Sequence, residues 1–322
     1  MGIKRPIDYL RLSITDWCNL NCMYCTPLEK DQFLHHDDVL RFEEMTRLVR
    51  LFAMQGIRKV RITGGEPLIK RGVADLVRML KNIGILDEIS MTTNGILLKD
   101  LVVDLKAAGL DRINISLDTL KKDRFIKICG KDALDEVWRG IKEAIKCGLD
   151  PVKLNVIPMK GINDDEIVDF ARLTLEYPLS IRFIEFFHTN QRSEKLLKSL
   201  VPSQQTKQDI INSLGELEPV NTVWGNGPAK YYKLSKAKGA IGFISGSTST
   251  FCEDCSRIRV DCAGKISPCL FSGHICDART LLRGDIADDR IQEKIADILK
   301  NKSKYSKFTI DDRKIEMSTL GG

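Results

Sequence analysis

The sequence has no apolar run long enough to cross a bilayer, which argues against an α-helical membrane protein. Its opening, Met1-Gly2-Ile3-Lys4-Arg5-Pro6, lacks the apolar core of a secretion signal, so a cytoplasmic location is expected. No G-x₄-G-K-[ST] loop occurs, and any nucleotide must be held by something other than a P-loop. Internal repeats and low-complexity tracts are absent. Charge of one sign is also in short supply. Fifty Lys and Arg against 44 Asp and Glu leave +6, which suits an anionic small molecule but does not by itself indicate nucleic acid. With 43% hydrophobic and 29% charged residues over 322 positions, the composition is that of a soluble globular enzyme of one large domain or two ordinary ones.

Cysteine, in contrast, is plentiful. Ten are present, and without a secretion signal they fit reduced, metal-holding thiols better than a disulfide framework. Three stand in Thr15-Asp16-Trp17-Cys18-Asn19-Leu20-Asn21-Cys22-Met23-Tyr24-Cys25, spaced C-x₃-C-x₂-C after an apolar strand-like run. Such a loop can wrap one inorganic centre, and soft thiolates favour zinc or an iron–sulfur cluster. Closed zinc sites normally have four ligands, and His35 and His36 stand too far along to join this turn. Three thiolates on a four-iron cube leave one iron open to a small molecule. A second group, Cys252, Cys255 and Cys269, is spaced C-x₂-C-x₁₃-C. Cys262 or Cys276 could complete a four-ligand zinc site there, so structural zinc stays open for this group. Arg257 and Arg259 share one face of an extended segment, and two guanidiniums beside a metal centre point to anion recognition.

Six strand-like runs alternate with helix-like ones: Tyr9–Ile14, Lys59–Ile62, Glu88–Thr92, Arg112–Leu117, Val152–Ile157 and Ile181–Phe187. The spacing predicts helices over Phe42–Gln55, Ala74–Asn82, Leu98–Ala108, Leu134–Cys147 and Asp165–Tyr177. Asn163 and Glu166 have the spacing of a capping box for the last of these. Gly56, Gly84, Gly109 and Gly148 each stand just beyond a helix, as left-handed caps. This alternation implies a parallel sheet, flat or curled into a barrel, with ligands at the carboxyl ends of its strands. After Phe187 the alternation stops. Tyr231–Leu234 and Ala240–Ile244 read as a hairpin and Asp289–Lys300 as an amphipathic helix, so the expected division is 1–187 and 188–322.

The cysteine loop follows strand one and therefore lands on that functional rim. Thr63-Gly64-Gly65-Glu66-Pro67 follows strand two, where paired glycines let backbone approach a ligand closely and Glu66 can accept from an amino group. Thr92-Thr93-Asn94-Gly95 and Ser116-Leu117-Asp118 end the next two strands, and Lys153-Leu154-Asn155 lies on the fifth. Polar groups recurring at successive carboxyl ends are best explained by one shared pocket.

C-x₃-C-x-aromatic-C followed by Gly-Gly-Glu-Pro resembles the radical S-adenosylmethionine (SAM) superfamily. Over nearly the whole chain the sequence is similar to the GTP 3′,8-cyclase (MoaA) family of molybdenum cofactor biosynthesis. The resemblance rests on Leu10-Arg11-Leu12-Ser13, Arg61-Ile62-Thr63-Gly64-Gly65-Glu66-Pro67-Leu68, Ser116-Leu117-Asp118-Thr119-Leu120 and Val152-Lys153-Leu154-Asn155. It continues through Gly161-Ile162-Asn163-Asp164, Phe251-Cys252-x₂-Cys255-Ser256-Arg257-Ile258-Arg259 and the terminal Gly321-Gly322. It implies an α/β fold, a partial (β/α)₆ TIM-like barrel, closed by a smaller C-terminal domain carrying a second cluster. Cys18, Cys22 and Cys25 would hold a SAM-binding [4Fe–4S] cluster, and Cys252, Cys255 and Cys269 a second that binds guanine. Tyr24, Gly64, Gly65, Glu66, Ser116 and Phe187 would face SAM. Arg11, Arg61, Thr92, Lys153, Arg257 and Arg259 would face GTP, with Arg11, Arg257, Arg259, Gly321 and Gly322 serving catalysis. The implied reaction removes the ribose 3′-hydrogen with a 5′-deoxyadenosyl radical and joins C3′ to guanine C8. Its product, 3′,8-cyclo-7,8-dihydro-GTP, would pass to cyclic pyranopterin monophosphate synthase. An unidentified electron donor is required, no nucleic acid or membrane partner is implied, and the resemblance leaves room for a homodimer.

Some positions depart from the family pattern. Phe187 and His188 replace the usual Met-Pro after Phe183-Ile184-Glu185-Phe186, and Trp17 and Asn21 stand where Arg is frequent. The rival readings are a radical SAM peptide-modifying enzyme with an auxiliary cluster and a non-catalytic zinc-stabilised binding protein.

Overall fold

The structure, a computed structural model, describes residues 6–25, 33–187, 191–220, 227–248, 255–270 and 272–302. Six strand–helix units come first: β1 (Tyr9–Ser13), α1 (Phe42–Met54), β2 (Lys59–Thr63), α2 (Val73–Lys81), β3 (Glu88–Thr93), α3 (Leu98–Ala107), β4 (Arg112–Ser116), α4 (Lys122–Cys129), α5 (Leu134–Lys146), β5 (Val152–Val156), α6 (Ile167–Glu176) and β6 (Leu179–Ile184). There follow α7 (Gln191–Glu194), α8 (Ser203–Leu214), β7 (Glu218–Pro219), β8 (Lys230–Lys233), β9 (Ala240–Ile244), β10 (Arg257–Val260), β11 (Lys265–Ser267), β12 (Cys276–Asp277), α9 (Ala278–Arg283) and α10 (Asp288–Lys300).

All strands join one sheet in the order β12-β11-β10-β1-β2-β3-β4-β5-β6-β9-β8-β7. β1 to β6 are parallel neighbours in sequence order, the arrangement expected from the alternation. The C-terminal segment extends this sheet at both sides, β10 pairing parallel with β1 and β9 parallel with β6. Among the described residues the sheet does not close, since the outermost strands β12 and β7 have only one neighbour each. It does curl, because side chains from β10 at one side and β6 at the other line a single cavity.

The strands alternate. Leu10, Leu12, Val60, Ile62, Ile89, Met91, Ile113, Ile115, Leu154 and Ile181 are buried in the apolar core. The intervening Arg11, Arg61, Thr92, Ser116, Lys153 and Arg182 line the cavity. α1 contributes Met45, Leu48, Val49 and Phe52 to the core from one helical face. Period two thus divides each strand into a face that stabilises the fold and a face left for chemistry.

Predicted boundaries fall within two residues for most elements. Gly84 and Gly148 have φ of 78° and 70°, the left-handed caps expected. The hairpin forms as β8–β9, with Tyr232 opposite Ile241. α4 is a helix for which the alternation gave no expectation. One reading needs correction. The Asn163–Glu166 pair is no capping box: Asn163 Oδ1 accepts from Met159 N at 2.6 Å and Nδ2 donates to the Asp118 carbonyl at 2.6 Å. Glu166 instead accepts from Thr119 Oγ1 at 2.7 Å and Leu120 N at 2.6 Å. Both side chains bind the loop after β4, a longer-range demand that local spacing does not reveal.

Candidate active site

The first cysteine loop leaves β1 and is fastened on two sides. Asn21 N donates to the Cys129 carbonyl at 3.0 Å and Met23 N to the Ile128 carbonyl at 2.9 Å, tying the loop to the end of α4. On the other side Gly65 N donates to Thr15 O and Glu66 N to Trp17 O, both at 2.7 Å. A Cβ on Gly65 would stand 2.1 Å from Trp17 O, so only glycine admits this backbone-to-backbone approach. The close approach expected of the paired glycines is therefore to the cysteine loop itself. Trp17, 51% exposed, stacks on Phe33 with ring centroids 4.5 Å apart.

Glu66 is buried and acts as a clasp. Its Oε1 accepts from Leu68 N at 2.9 Å and Thr93 Oγ1 at 2.7 Å, and its Oε2 from Asn94 N at 2.7 Å. Burial pushes the carboxyl up to about 7 despite these bonds. Asn94 carries the chain of contacts back, donating to Asn19 Oδ1 at 2.7 Å and lying 3.9 Å from Cys18 Sγ. Tyr24 OH donates to Asp118 Oδ2, while Asp118 Oδ1 accepts from Ile157 N at 2.9 Å. Burial raises Asp118 to about 6 and Tyr24 well above its ordinary value. The same cause lifts Cys18 to about 11 and Cys25 further still. A hydrogen bond with Cys129, then burial, raises Cys22.

Across the cavity the charge reverses. Strand register sets Arg11 beside Arg259 on β10 and beside Arg61 on β2. Burial and then repulsion from Arg259 and Arg61 hold Arg11 well below the usual guanidinium range, while burial followed by Arg257 brings Arg259 down to about 10. Burial, followed by Arg182, Arg61 and Arg112, lowers Lys153 to about 6. Arg61 also lies over the Tyr9 ring, 5.4 Å from its centroid. Burial alone would raise the Cys255 thiol, but Arg257 and Lys302 outweigh it and bring the thiol down to about 7. Cations that depress one another in a buried wall are ready to receive a polyanion.

The cavity holds about 370 Å³ and brings together every described residue expected in the site. Cys18, Cys22, Cys25, Tyr24, Gly64, Gly65, Glu66, Ser116 and Phe187 line it, as do Arg11, Arg61, Thr92, Lys153, Arg257, Arg259, Cys255 and Cys269. Phe187 lies against Gly246, where a Cβ would come within 1.7 Å of the ring. Cys252, His188, Gly321 and Gly322 lie outside the described residues. Cys262 and Cys276 do not line the cavity; Cys262 is fully buried beyond β10 and Cys276 sits on the edge strand β12.

Asn155, expected at the shared pocket, lines it, and among the polar lining residues not expected are Lys59, Arg182 and Tyr231. Arg182 is held by Asn155 Oδ1 and joins the cationic wall from β6. The alternation in Val152-Lys153-Leu154-Asn155 and Ser180-Ile181-Arg182-Phe183 was the available signal, since period two puts these polar residues on the face that carries Lys153.

The thiol arrangement can be tested against metal. Among the described residues no three His, Cys, Asp or Glu side chains converge closely enough for a single ion. Cys18, Cys22 and Cys25 instead share the wall of a larger space. That arrangement fits a polynuclear cluster with soft thiolate ligands better than a lone zinc.

An open α/β barrel with three cysteines after its first strand and a Gly-Gly-Glu-Pro turn packed on that loop defines a radical SAM protein. Residues 12–174 match the Radical SAM superfamily and 179–308 match Molybdenum Cofactor Synthesis C. The GTP 3′,8-cyclase of Heliobacterium modesticaldum is 43% identical over 100% of this chain and 99% of its own length. That of Thermodesulfovibrio yellowstonii is also 43% identical, over 100% and 99%. The chain belongs to the GTP 3′,8-cyclase family. In fold alone it is similar to SuiB of Streptococcus suis, with a TM-score of 0.63 at 15% identity over 97% of this chain and 67% of SuiB. SuiB bound to S-adenosylmethionine gives a TM-score of 0.59 at 17% identity, over 89% and 68%.

Among the described residues no helix is long and apolar enough to cross a membrane.

Proposed function

We propose that the chain is a radical SAM GTP 3′,8-cyclase that forms 3′,8-cyclo-7,8-dihydro-GTP. The observation that carries this reading is the single cavity, with one cysteine set at the acid-bearing end and part of a second at the cationic end. Cys18, Cys22 and Cys25 would hold one [4Fe–4S] cluster, and Cys252, Cys255 and Cys269 another. When bound, the first cluster and SAM supply the 5′-deoxyadenosyl radical by reductive cleavage.

The residues of the chain bind, orient and shield. Tyr24, Gly64, Gly65, Glu66, Ser116 and Phe187 would form the SAM side, with Glu66 and Asp118 setting the geometry of the cysteine loop. Arg11, Arg61, Thr92, Lys153, Arg257 and Arg259 would hold the triphosphate and base, and Arg182 and Lys59 extend that wall. Two such binding ends in one cavity would let the chain orient the ribose of GTP toward the SAM side. Gly321 and Gly322 would serve catalysis together with Arg11, Arg257 and Arg259.

The chain divides functionally near residue 187, the core at 1–187 supplying SAM chemistry and 188–322 the second cysteine set. A cytoplasmic enzyme fits this chemistry, receiving electrons from an as yet unidentified donor and handing its product to cyclic pyranopterin monophosphate synthase. A homodimer is compatible with the reading.

Anaerobic incubation with SAM, a reductant and GTP tests it. A cyclised nucleotide accompanied by 5′-deoxyadenosine is the expected result. A peptide-modifying enzyme would leave GTP unchanged, and a zinc-stabilised binding protein would carry zinc without labile sulfide.

A further inference from the structure

α10 ends beneath the second cysteine group. Ion pairs fasten the segment around it to the barrel: Arg279 to Asp38 at 2.7 Å, Arg283 to Glu44 at 2.6 Å and Arg47 to Asp288 at 2.6 Å. α10 buries Ile291, Ile295 and Ile298, and Lys302 follows just beyond its last turn. The Lys302 side chain is folded inward and the residue is only 2% exposed. Its Nζ donates to the Cys255 carbonyl at 2.7 Å and lies 3.5 Å from Cys255 Sγ.

Burying an ammonium is costly unless opposite charge stands beside it. A cysteine that ligates iron is a thiolate, which supplies that charge. The bond to the Cys255 carbonyl serves a second purpose by fixing the backbone at the entrance to β10. From these contacts we infer that Lys302 is a positioning residue for the second cluster: it orients Cys255 and offsets the charge of its thiolate. This rests on the two-cluster reading above and adds to it a contribution from a helix outside the sheet. The first cysteine set is built differently. Cys18 Sγ accepts from Leu20 N at 3.4 Å and faces Asn94 Nδ2 at 3.9 Å, with Glu66 and Asp118 nearby. A cation beside one cluster and neutral donors beside the other should separate their reduction potentials, since net charge and hydrogen bonds to sulfur both set them.

The experiment compares the full chain with Lys302→Met and Lys302→Arg after anaerobic reconstitution, reading iron and sulfide content and the potential of each cluster by electron paramagnetic resonance. In Lys302→Met the second cluster should shift to lower potential or be lost in part, while the first cluster keeps its signal and potential. Lys302→Arg, which retains the charge, should stay near the wild-type potential. Two wild-type-like potentials in Lys302→Met would overturn the inference while leaving the two-cluster reading intact. Wild-type protein that takes up only one cluster would overturn that reading and the inference with it. If the Met variant does not fold, Lys302→Arg decides: a wild-type second-cluster potential upholds the inference, and a lowered potential or absent second cluster overturns it.

Discussion

The two cysteine regions use the same ligand chemistry in opposite electrostatic settings. Around Cys18, Cys22 and Cys25 the fixed groups are amides, hydroxyls and the buried carboxyls of Glu66 and Asp118. Burial there raises the thiols, so metal must displace their protons. Around Cys255 the fixed groups are Arg257, Arg259 and Lys302, and the thiol comes down to about 7. An acid-bearing end suits a cationic ligand, and a cation-bearing end suits a polyanion. The proposed placement of SAM at the first end and GTP at the second rests on this difference, which would keep the two ligands from exchanging positions.

The strongest way to break this comparison is to delete each set. Replacing Cys18, Cys22 and Cys25 with Ala should leave about four irons per chain from an expected eight, and abolish SAM cleavage. Replacing Cys252, Cys255 and Cys269 should also leave about four irons, but stop cyclisation while permitting uncoupled SAM cleavage. Iron analysis and 5′-deoxyadenosine release distinguish the two outcomes.

Charge at the far end is tested by Arg257→Ala and Arg259→Ala. Loss of charge-assisted hydrogen bonds of about 1.5–3 kcal/mol should weaken GTP binding by roughly 10- to 150-fold, with SAM affinity little changed. Calorimetric titration with each ligand measures both. Equal losses for SAM and GTP would show that the ends are not electrostatically separate.

Tyr24→Phe sharpens the comparison at the near end. It removes the donor to a buried carboxyl and should destabilise the protein by about 1–3 kcal/mol. SAM cleavage should fall while GTP affinity holds. Thermal unfolding and the two assays together check this.

The smallest effect is a pH slope. Lys153 stands near neutrality with a pKa of about 6 before ligand arrives, and a triphosphate would raise it. Binding then takes up a proton above pH 6, so GTP affinity should fall as pH rises, by at most about tenfold per pH unit. Proton uptake measured in buffers of different ionisation enthalpy should be lower in Lys153→Met. An unchanged uptake would remove Lys153 from the phosphate wall.

Much of this was legible in local sequence. The cysteine spacings, the strand–helix alternation and the pairing of Arg257 with Arg259 depend on periods of a few residues, which the chain carries without reference to its fold. The glycines of Thr63-Gly64-Gly65-Glu66-Pro67 were legible as a close approach, though what they approach was not. The Asn163–Glu166 spacing misled because both side chains satisfy a loop distant in sequence.

Tertiary structure decided what meets across those segments. The alternation determines that Arg11, Lys153 and Arg182 face one side of their strands; only the curl of the sheet turns that side into a shared cavity. Pairing β10 with β1 places Arg259 beside Arg11, and no local signal specifies which strand a late segment joins. Docking of α4 brings Cys129 to Cys22, and docking of α10 brings Lys302 to Cys255. The sequence by itself determined the ligands and the faces, because side-chain direction follows local backbone period. The fold alone decided their partners, because partners are set by long-range pairing and packing.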